Sequence, residues 1–132
     1  MPTRCSVDEF TENFLRLADD YEREVYEETK KGIDKTAKKM KDVIRDSTEF
    51  QDRTGKYRKA FALRKQEDRT WKRYSKTWYV KAPHYRLTHL LEKGHLTRSG
   101  GRTRAFPHIE KGEQYAEENL IKNIEEEIER AT

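Results

Sequence analysis

The stretch YRLTHLLEKGHLTRSGGRTRAFPHI, residues 85–109, predicts two helix boundaries and the loop between them. Leucines at helical spacing run to Glu92, and Gly94 follows at the position where glycine commonly ends a helix. The small and polar residues after Gly94 predict a loop over residues 95–101. Residues 102–106 predict a short strand that leads into the last helix.

The backbone of this stretch is further restricted by its glycines and its proline. Gly94, Gly100 and Gly101 predict turns with positive φ, which glycine adopts without a steric penalty. Pro107 restricts Phe106 to extended geometry. We therefore expect an exposed and flexible loop with a defined exit into the last helix.

Two segments before this stretch predict an antiparallel pair of strands. Phe61 and Leu63 alternate with Ala62 and Arg64, and residues 70–82 are rich in aromatic and β-branched side chains. The alternation places Trp78, Val80 and Ala82 on one face of the second strand. A turn at residues 52–55 precedes the first strand, the connection lies near residues 67–69, and Pro83 ends the second strand.

Helices are predicted on both sides of this central region. Apolar or small residues recur at steps of mostly three and four from Val7 to about Asp46, after a capping box formed by Ser6 and Glu9. Gly32 predicts a break or bend in that helix, and its N-terminal half is expected to pack on a neighbouring molecule. A second apolar stripe, from Ile109 to Ile128, predicts the last helix.

The fold class is therefore α+β: a long N-terminal helix, a small antiparallel β-sheet, a short middle helix and a C-terminal helix. The 132 residues fit one domain, 1–132, with an N-terminal helical segment over 1–50 and an α+β core over 53–130. Leu, Ile, Val and Phe supply only 23 residues, which predicts a thin core that neighbouring subunits complete.

Membrane and secreted classes are disfavoured. No apolar run approaches the roughly 20 residues that span a bilayer. The first residues have no hydrophobic signal core, and the single cysteine, Cys5, cannot form an internal disulfide. A cytosolic protein without membrane contact is the expectation.

Charge is distributed unevenly along the chain. Residues 1–50 have a net charge of −3, residues 51–109 of +12 and residues 110–132 of −5. A basic middle of this kind is typical of a surface that faces nucleic acid or an acidic protein. Alternatively, the basic middle pairs with the acidic helices of its own chain.

The residue patterns do not indicate an enzyme active site. The four histidines lack zinc-ligand spacing, no activated nucleophile is evident, and the glycine pair lacks the spacing of a phosphate-binding loop. We therefore predict no catalytic residue, no metal and no cofactor.

The candidates for an interface, all in or beside the loop, are His95, Arg98, Arg102, Arg104, Phe106 and His108. The arginines suit bidentate contact with carboxylates or phosphates. Phe106 and Ile109 are expected to be buried against Trp78 and Val80; alternatively, Phe106 is exposed and docks on a neighbouring ring.

Three segments, residues 53–59, 85–95 and 100–109, resemble the small phage and prophage tail-component proteins of the Hong Kong 97 type. The resemblance covers about residues 53–130 and identifies the chain as a head–tail connector or tail-completion (neck) component. It implies a ring, a hexamer if it matches the tail tube, between capsid portal and tail, with neighbouring connector and tail proteins as partners. It also implies that the protein lies in the host cytoplasm during assembly and then in the virion neck. Finally, it implies no enzyme activity and no cofactor.

The charge pattern leaves a second class open, a small basic nucleic-acid-binding protein or an RNA-targeting toxin. Contact of the basic loop with DNA that passes through the ring is also open. Salt-dependent binding of short duplexes by a monomer would favour the second class. A ring that forms with rising concentration would favour the connector.

Overall fold

The structure is a computed structural model that describes residues 7–47 and 55–132. The elements in chain order are helix α1 (Val7–Arg45), helix α2 (Lys56–Lys59), strand β1 (Phe61–Asp68), strand β2 (Arg73–Val80), a 3-10 helix (His84–Leu87), helix α3 (Thr88–Lys93) and helix α4 (His108–Ala131). The predicted α+β class, with its long first helix, small sheet, short middle helix and last helix, is confirmed. Two predicted features, the cap at Ser6 and most of the turn at 52–55, lie outside the described residues.

The sheet is an antiparallel pair whose register runs from Phe61 opposite Val80 to Asp68 opposite Arg73. β1 is longer than predicted and β2 shorter, since residues 69–72 form the connecting turn. One face of the sheet, which includes Trp78 and Val80 as predicted, lies towards α1. The hairpin lies along this helix with its turn towards the helix N-terminus, since Lys72 contacts Glu22.

Helix α1 continues through Gly32 without interruption, so the predicted break is wrong. Glycine occurs there because α4 passes too close for a side chain: a Cβ at Gly32 would lie 2.6 Å from the Cα of Ile124. Helix α4 likewise has a glycine at a close contact with α1: a Cβ at Gly112 would lie 2.5 Å from the side chain of Ile44. The two contacts show that α1 and α4 are antiparallel and closely packed.

The core lies near the C-terminal end of α1. Ile44 from α1, Tyr57 from α2 and Phe61 and Val80 from the sheet are buried together with Ala60. The aromatic rings meet edge to face, with 5.1 Å between the centroids of Tyr57 and Phe61. Helix α2, which the sequence did not predict, supplies Tyr57 to this small cluster.

The segment between α3 and α4 is less regular than predicted. A single bridge between Leu96 and Arg102 replaces the predicted strand at 102–106, which is therefore wrong. Backbone groups of this segment bond instead to the loop and to α3: the Thr103 amide donates to the His95 carbonyl (2.8 Å) and the Phe106 amide to the Leu91 carbonyl (2.6 Å). Gly94 and Gly100 have positive φ as predicted, whereas Gly101 does not.

Candidate functional site

A buried polar junction joins α3 to the start of α4. The Glu92 carboxylate accepts hydrogen bonds from the backbone amides of Ile109 (2.9 Å) and Glu110 (3.0 Å). These amides belong to the first turn of α4, where no helical carbonyl can accept from them and where negative charge is favourable. Glu92 therefore caps α4 from a separate helix and fixes the exit of the loop.

His108 lies fully buried in this junction, with 0% of its surface exposed. Its Nδ1 atom is 2.9 Å from the Phe106 carbonyl oxygen and 3.0 Å from a Glu92 oxygen, so Nδ1 carries a hydrogen. Its Nε2 atom lies 2.8 Å from the Tyr57 hydroxyl oxygen, which is within hydrogen-bond distance. Of the six candidates, His108 thus holds the junction together and does not reach the surface.

The loop over residues 95–104 is a compact hairpin with its own hydrogen bonds. The Thr97 amide donates to the Gly101 carbonyl (2.7 Å), and the Thr103 hydroxyl lies 3.1 Å from Nδ1 of His95. Most of its residues, including His95, are exposed, as predicted. The loop therefore presents its side chains on a defined backbone.

The three arginines of this loop point to solvent or lie along its surface. Arg102 donates to the Lys93 carbonyl (3.2 Å), and the Arg104 guanidinium lies 5.6 Å from the centroid of the Phe106 ring. Arg98 is exposed. Within the described residues, none of the three forms an ion pair with a carboxylate. The loop thus offers three cations to a partner.

Phe106 is half-buried and packs against the core cluster, while Ile109 is also half-buried. The expectation of full burial therefore holds only in part for both residues. The Phe106 ring thus contacts both the core cluster and the Arg104 guanidinium. A side chain so placed couples the loop to the core.

The basic hairpin is paired with α1 of its own chain. Lys72 contacts Glu22, Arg69 lies 3.8 Å from Glu27 and Lys76 lies 3.6 Å from Asp34. Glu67 on β1 accepts in turn from Lys30 (2.6 Å) and from the hydroxyl of Tyr26 (2.9 Å). The hydrogen bond from Lys30 holds the pKa of Glu67 below its ordinary value. Pairing within the described part of the chain thus accounts for about half of the basic residues of the hairpin and for none of the three arginines of the loop.

The N-terminal half of α1 has an apolar stripe that no described residue covers. Phe10, Phe14, Leu17 and Tyr21 recur at steps of four, three and four and are each at least 60% exposed. Every described side chain from residue 8 to residue 24 is exposed. Because large apolar patches on a free surface commonly mark interaction sites, this stripe is a second candidate interface.

Further exposed apolar side chains lie in the hairpin turn, in the 3-10 helix and in the loop. Trp71, assigned to a strand by the sequence, lies in the hairpin turn and is 72% exposed. Tyr85 and Leu87 of the 3-10 helix and Leu96 of the loop are 51%, 45% and 70% exposed. Sequence reasoning missed these residues, because an isolated aromatic or leucine does not reveal its exposure.

Neither a metal cluster nor a membrane span is found in the described part of the chain. Across residues 7–47 and 55–132, no three His, Cys, Asp or Glu side chains converge in the way that a metal ion requires. No helix within those ranges combines the length and the apolar character needed to cross a bilayer.

Comparison with known proteins identifies the family. Residues 8–94, about two thirds of the chain, match the HK97-gp10-like family, described as "Bacteriophage HK97-gp10, putative tail-component". The matched range includes α1, for which the sequence had offered no diagnostic residue, and ends at Gly94, before the segment 100–109 that contributed to the resemblance. No curated protein and no solved structure matches the chain. The chain therefore belongs to the HK97-gp10-like family of bacteriophage structural proteins.

Proposed function

We propose that this protein is a head–tail connector or tail-completion component that assembles into a ring between the capsid portal and the tail. Its family supports a structural role in the phage tail. In this proposal residues 1–132 act as one domain, since α1 packs against both the sheet and α4. The chain carries out no catalysis, resides in the host cytoplasm until assembly and then forms part of the virion neck.

The observation that carries the assembly role is the uncovered stripe on α1. A helix with an apolar face is stable in water chiefly because that face is buried against something. Phe10, Phe14, Leu17 and Tyr21 are exposed, and nothing within residues 7–47 and 55–132 covers them, so we assign the burial of this face to another molecule. A ring supplies that molecule to every subunit.

Contact with DNA is a second role, supported by the loop. Arg98, Arg102 and Arg104 have no carboxylate partner among the described residues, and guanidinium groups bind phosphates well. A loop that faces the channel of a neck ring would meet the DNA that passes through it. This role is compatible with assembly, whereas a monomeric nucleic-acid-binding protein or toxin would need no uncovered stripe.

The proposal is tested with a phage in which the gene for this chain carries an early stop codon. We expect lysates that contain filled heads and separate tails, and restored joining when the chain is supplied from a plasmid. Electron microscopy counts heads, tails and joined particles. Normal joining without the chain would refute the connector role.

The competing class is tested on the purified chain. Duplex binding is measured at rising salt, together with toxicity on expression in the host. Tight binding by a monomer, with growth arrest and no defect in phage assembly, would favour the nucleic-acid-binding class.

A further inference from the structure

We propose that the acidic N-terminal half of α1 in one copy docks on the basic surface formed by residues 84–107 of the next copy. This inference rests on the proposed ring and names the contact that builds it. The two surfaces are called the acidic arm, residues 8–24, and the basic end, residues 84–107.

The acidic arm combines apolar side chains with negative charge. Its stripe of Phe10, Phe14, Leu17 and Tyr21 is not covered by any described residue. Its charged residues comprise seven carboxylates, of which Glu22 pairs with Lys72 of the same chain, and two arginines, a formal net charge of −5. Asp20 and Glu24 flank the stripe on one side, as their positions on a helix of 3.6 residues per turn require. An apolar stripe with acidic borders fits a surface that is apolar and basic.

The basic end has this complementary character. It contains five lysines and arginines and one acidic residue, Glu92, whose carboxylate already caps α4. Exposed apolar side chains lie among these cations: Tyr85 and Leu87 on the 3-10 helix and Leu96 in the loop. Arg98, Arg102 and Arg104 supply the positive charge of the loop, and the loop backbone is held by its own hydrogen bonds.

The fold keeps the two surfaces apart within one copy. The basic end lies beside the start of α4, where Gly112 contacts Ile44 near the C-terminal end of α1. Leu17, in the acidic arm, precedes Ile44 by 27 helical residues, or about 40 Å at 1.5 Å per residue. The surfaces therefore meet only between copies, and the contact is head-to-tail.

A head-to-tail contact between different surfaces is the kind that closes into a ring when the rotation between copies permits closure. Each copy uses its acidic arm once and its basic end once, so a closed ring leaves neither surface exposed. The charges make the contact weaken as salt rises, because exposed charges are screened over about 8–10 Å at 0.1–0.15 M salt.

Charge reversal tests the contact. One variant carries Asp20→Lys and Glu24→Lys, a second carries Arg98→Glu, Arg102→Glu and Arg104→Glu, and a third combines all five changes. Each is supplied from a plasmid to the phage that lacks the chain, and infectious titre is measured. We expect at least a tenfold loss of titre with either single-surface variant and recovery with the combined variant, because opposite charges then face each other again.

The apolar part of the contact has a matched control. Phe14 and Leu15 are equally exposed, at 60% and 61%, but Leu15 lies off the stripe. Phe14→Ser should lower the titre at least tenfold, whereas Leu15→Ser should leave it unchanged. Thermal unfolding of each purified variant checks that the fold is intact.

The outcomes separate this inference from the proposed function. Failure of the combined variant to recover, with every variant folded, would overturn the contact between copies and point to another phage protein as the partner. Equal titre for Phe14→Ser and Leu15→Ser would also overturn it. Normal titre from the phage that lacks the chain would refute the proposed function instead.

Discussion

Replacement of Gly32 by alanine tests the close approach of α1 to α4. In an open helix this change stabilises, because alanine is favoured over glycine by about 1 kcal/mol. Here the new Cβ would lie 2.6 Å from the Cα and 2.9 Å from the backbone nitrogen of Ile124, and backbone atoms cannot rotate away. Carbon atoms in contact prefer about 3.5–4.0 Å, so α4 must move by about 1 Å.

Overpacking costs about 1–3 kcal/mol, and a clash with backbone atoms lies in the upper part of that range, about 2–3 kcal/mol. After subtraction of the gain of about 1 kcal/mol in helix propensity, we expect Gly32→Ala to destabilise the fold by about 1–2 kcal/mol. Thermal and urea unfolding measure this change, with a fall in Tm of about 5 °C. Gly101→Ala is the matched control. Its Cβ would lie 3.6 Å from the nearest atom, an ordinary contact, so its effect should stay within about 0.5 kcal/mol. A Gly32→Ala variant as stable as wild type would refute the packing.

Three further changes test the junction and the hairpin. Phe106→Ala should cost about 2 kcal/mol in urea unfolding, less than for a fully buried ring, because Phe106 is half-buried against the core; a loss below about 0.5 kcal/mol would mean that the ring is not packed. Glu92→Gln should cost about 1 kcal/mol and speed hydrogen exchange at the Ile109 amide, whose hydrogen bond it weakens; unchanged exchange would contradict the cap. The Lys30 contact lowers the pKa of Glu67 in the folded protein. The stability that the pair contributes is therefore complete above the ordinary pKa of 4.5 and is lost as pH falls through the lower pKa of the folded state. The free energy of unfolding, measured from pH 3 to 7, should therefore fall less steeply towards low pH in Glu67→Gln than in wild type. The same pH dependence in both proteins would contradict the Glu67–Lys30 pair.

The order and type of the main elements could be predicted because each has a local signature. The three- and four-residue steps in the C-terminal half of α1 and in α4, and the alternation in β2, reflect which face is buried. The faces of Trp78 and Val80 follow from the same alternation. Positive φ at Gly94 and Gly100 follows from the residue type and its place in the chain.

The features that could not be predicted depend on residues far apart in the sequence. Gly32 looks like a helix breaker until Ile124, from the other helix, is seen against it. His108 looks like a loop residue until Tyr57 and Glu92 are placed beside it. A local sequence pattern does not show which distant residues will lie beside these side chains.

Part of the candidate site was nevertheless visible in the sequence. The arginines of the loop were found by their density, and their exposure agrees with that interpretation. The stripe on α1 was visible as a periodicity, although only the structure shows that α4 leaves it uncovered. The basic end required the fold, because the exposure of Tyr85, Leu87 and Leu96 depends on how α3 and the loop pack.

A cryo-electron microscopy reconstruction of the purified virion tests the central claim most directly. We expect a ring of this chain at the junction of head and tail, with six copies if it matches the tail tube and with the acidic arm of each copy against the basic end of the next. Absence of the chain from the junction, or its presence there without contact between copies, would contradict the account.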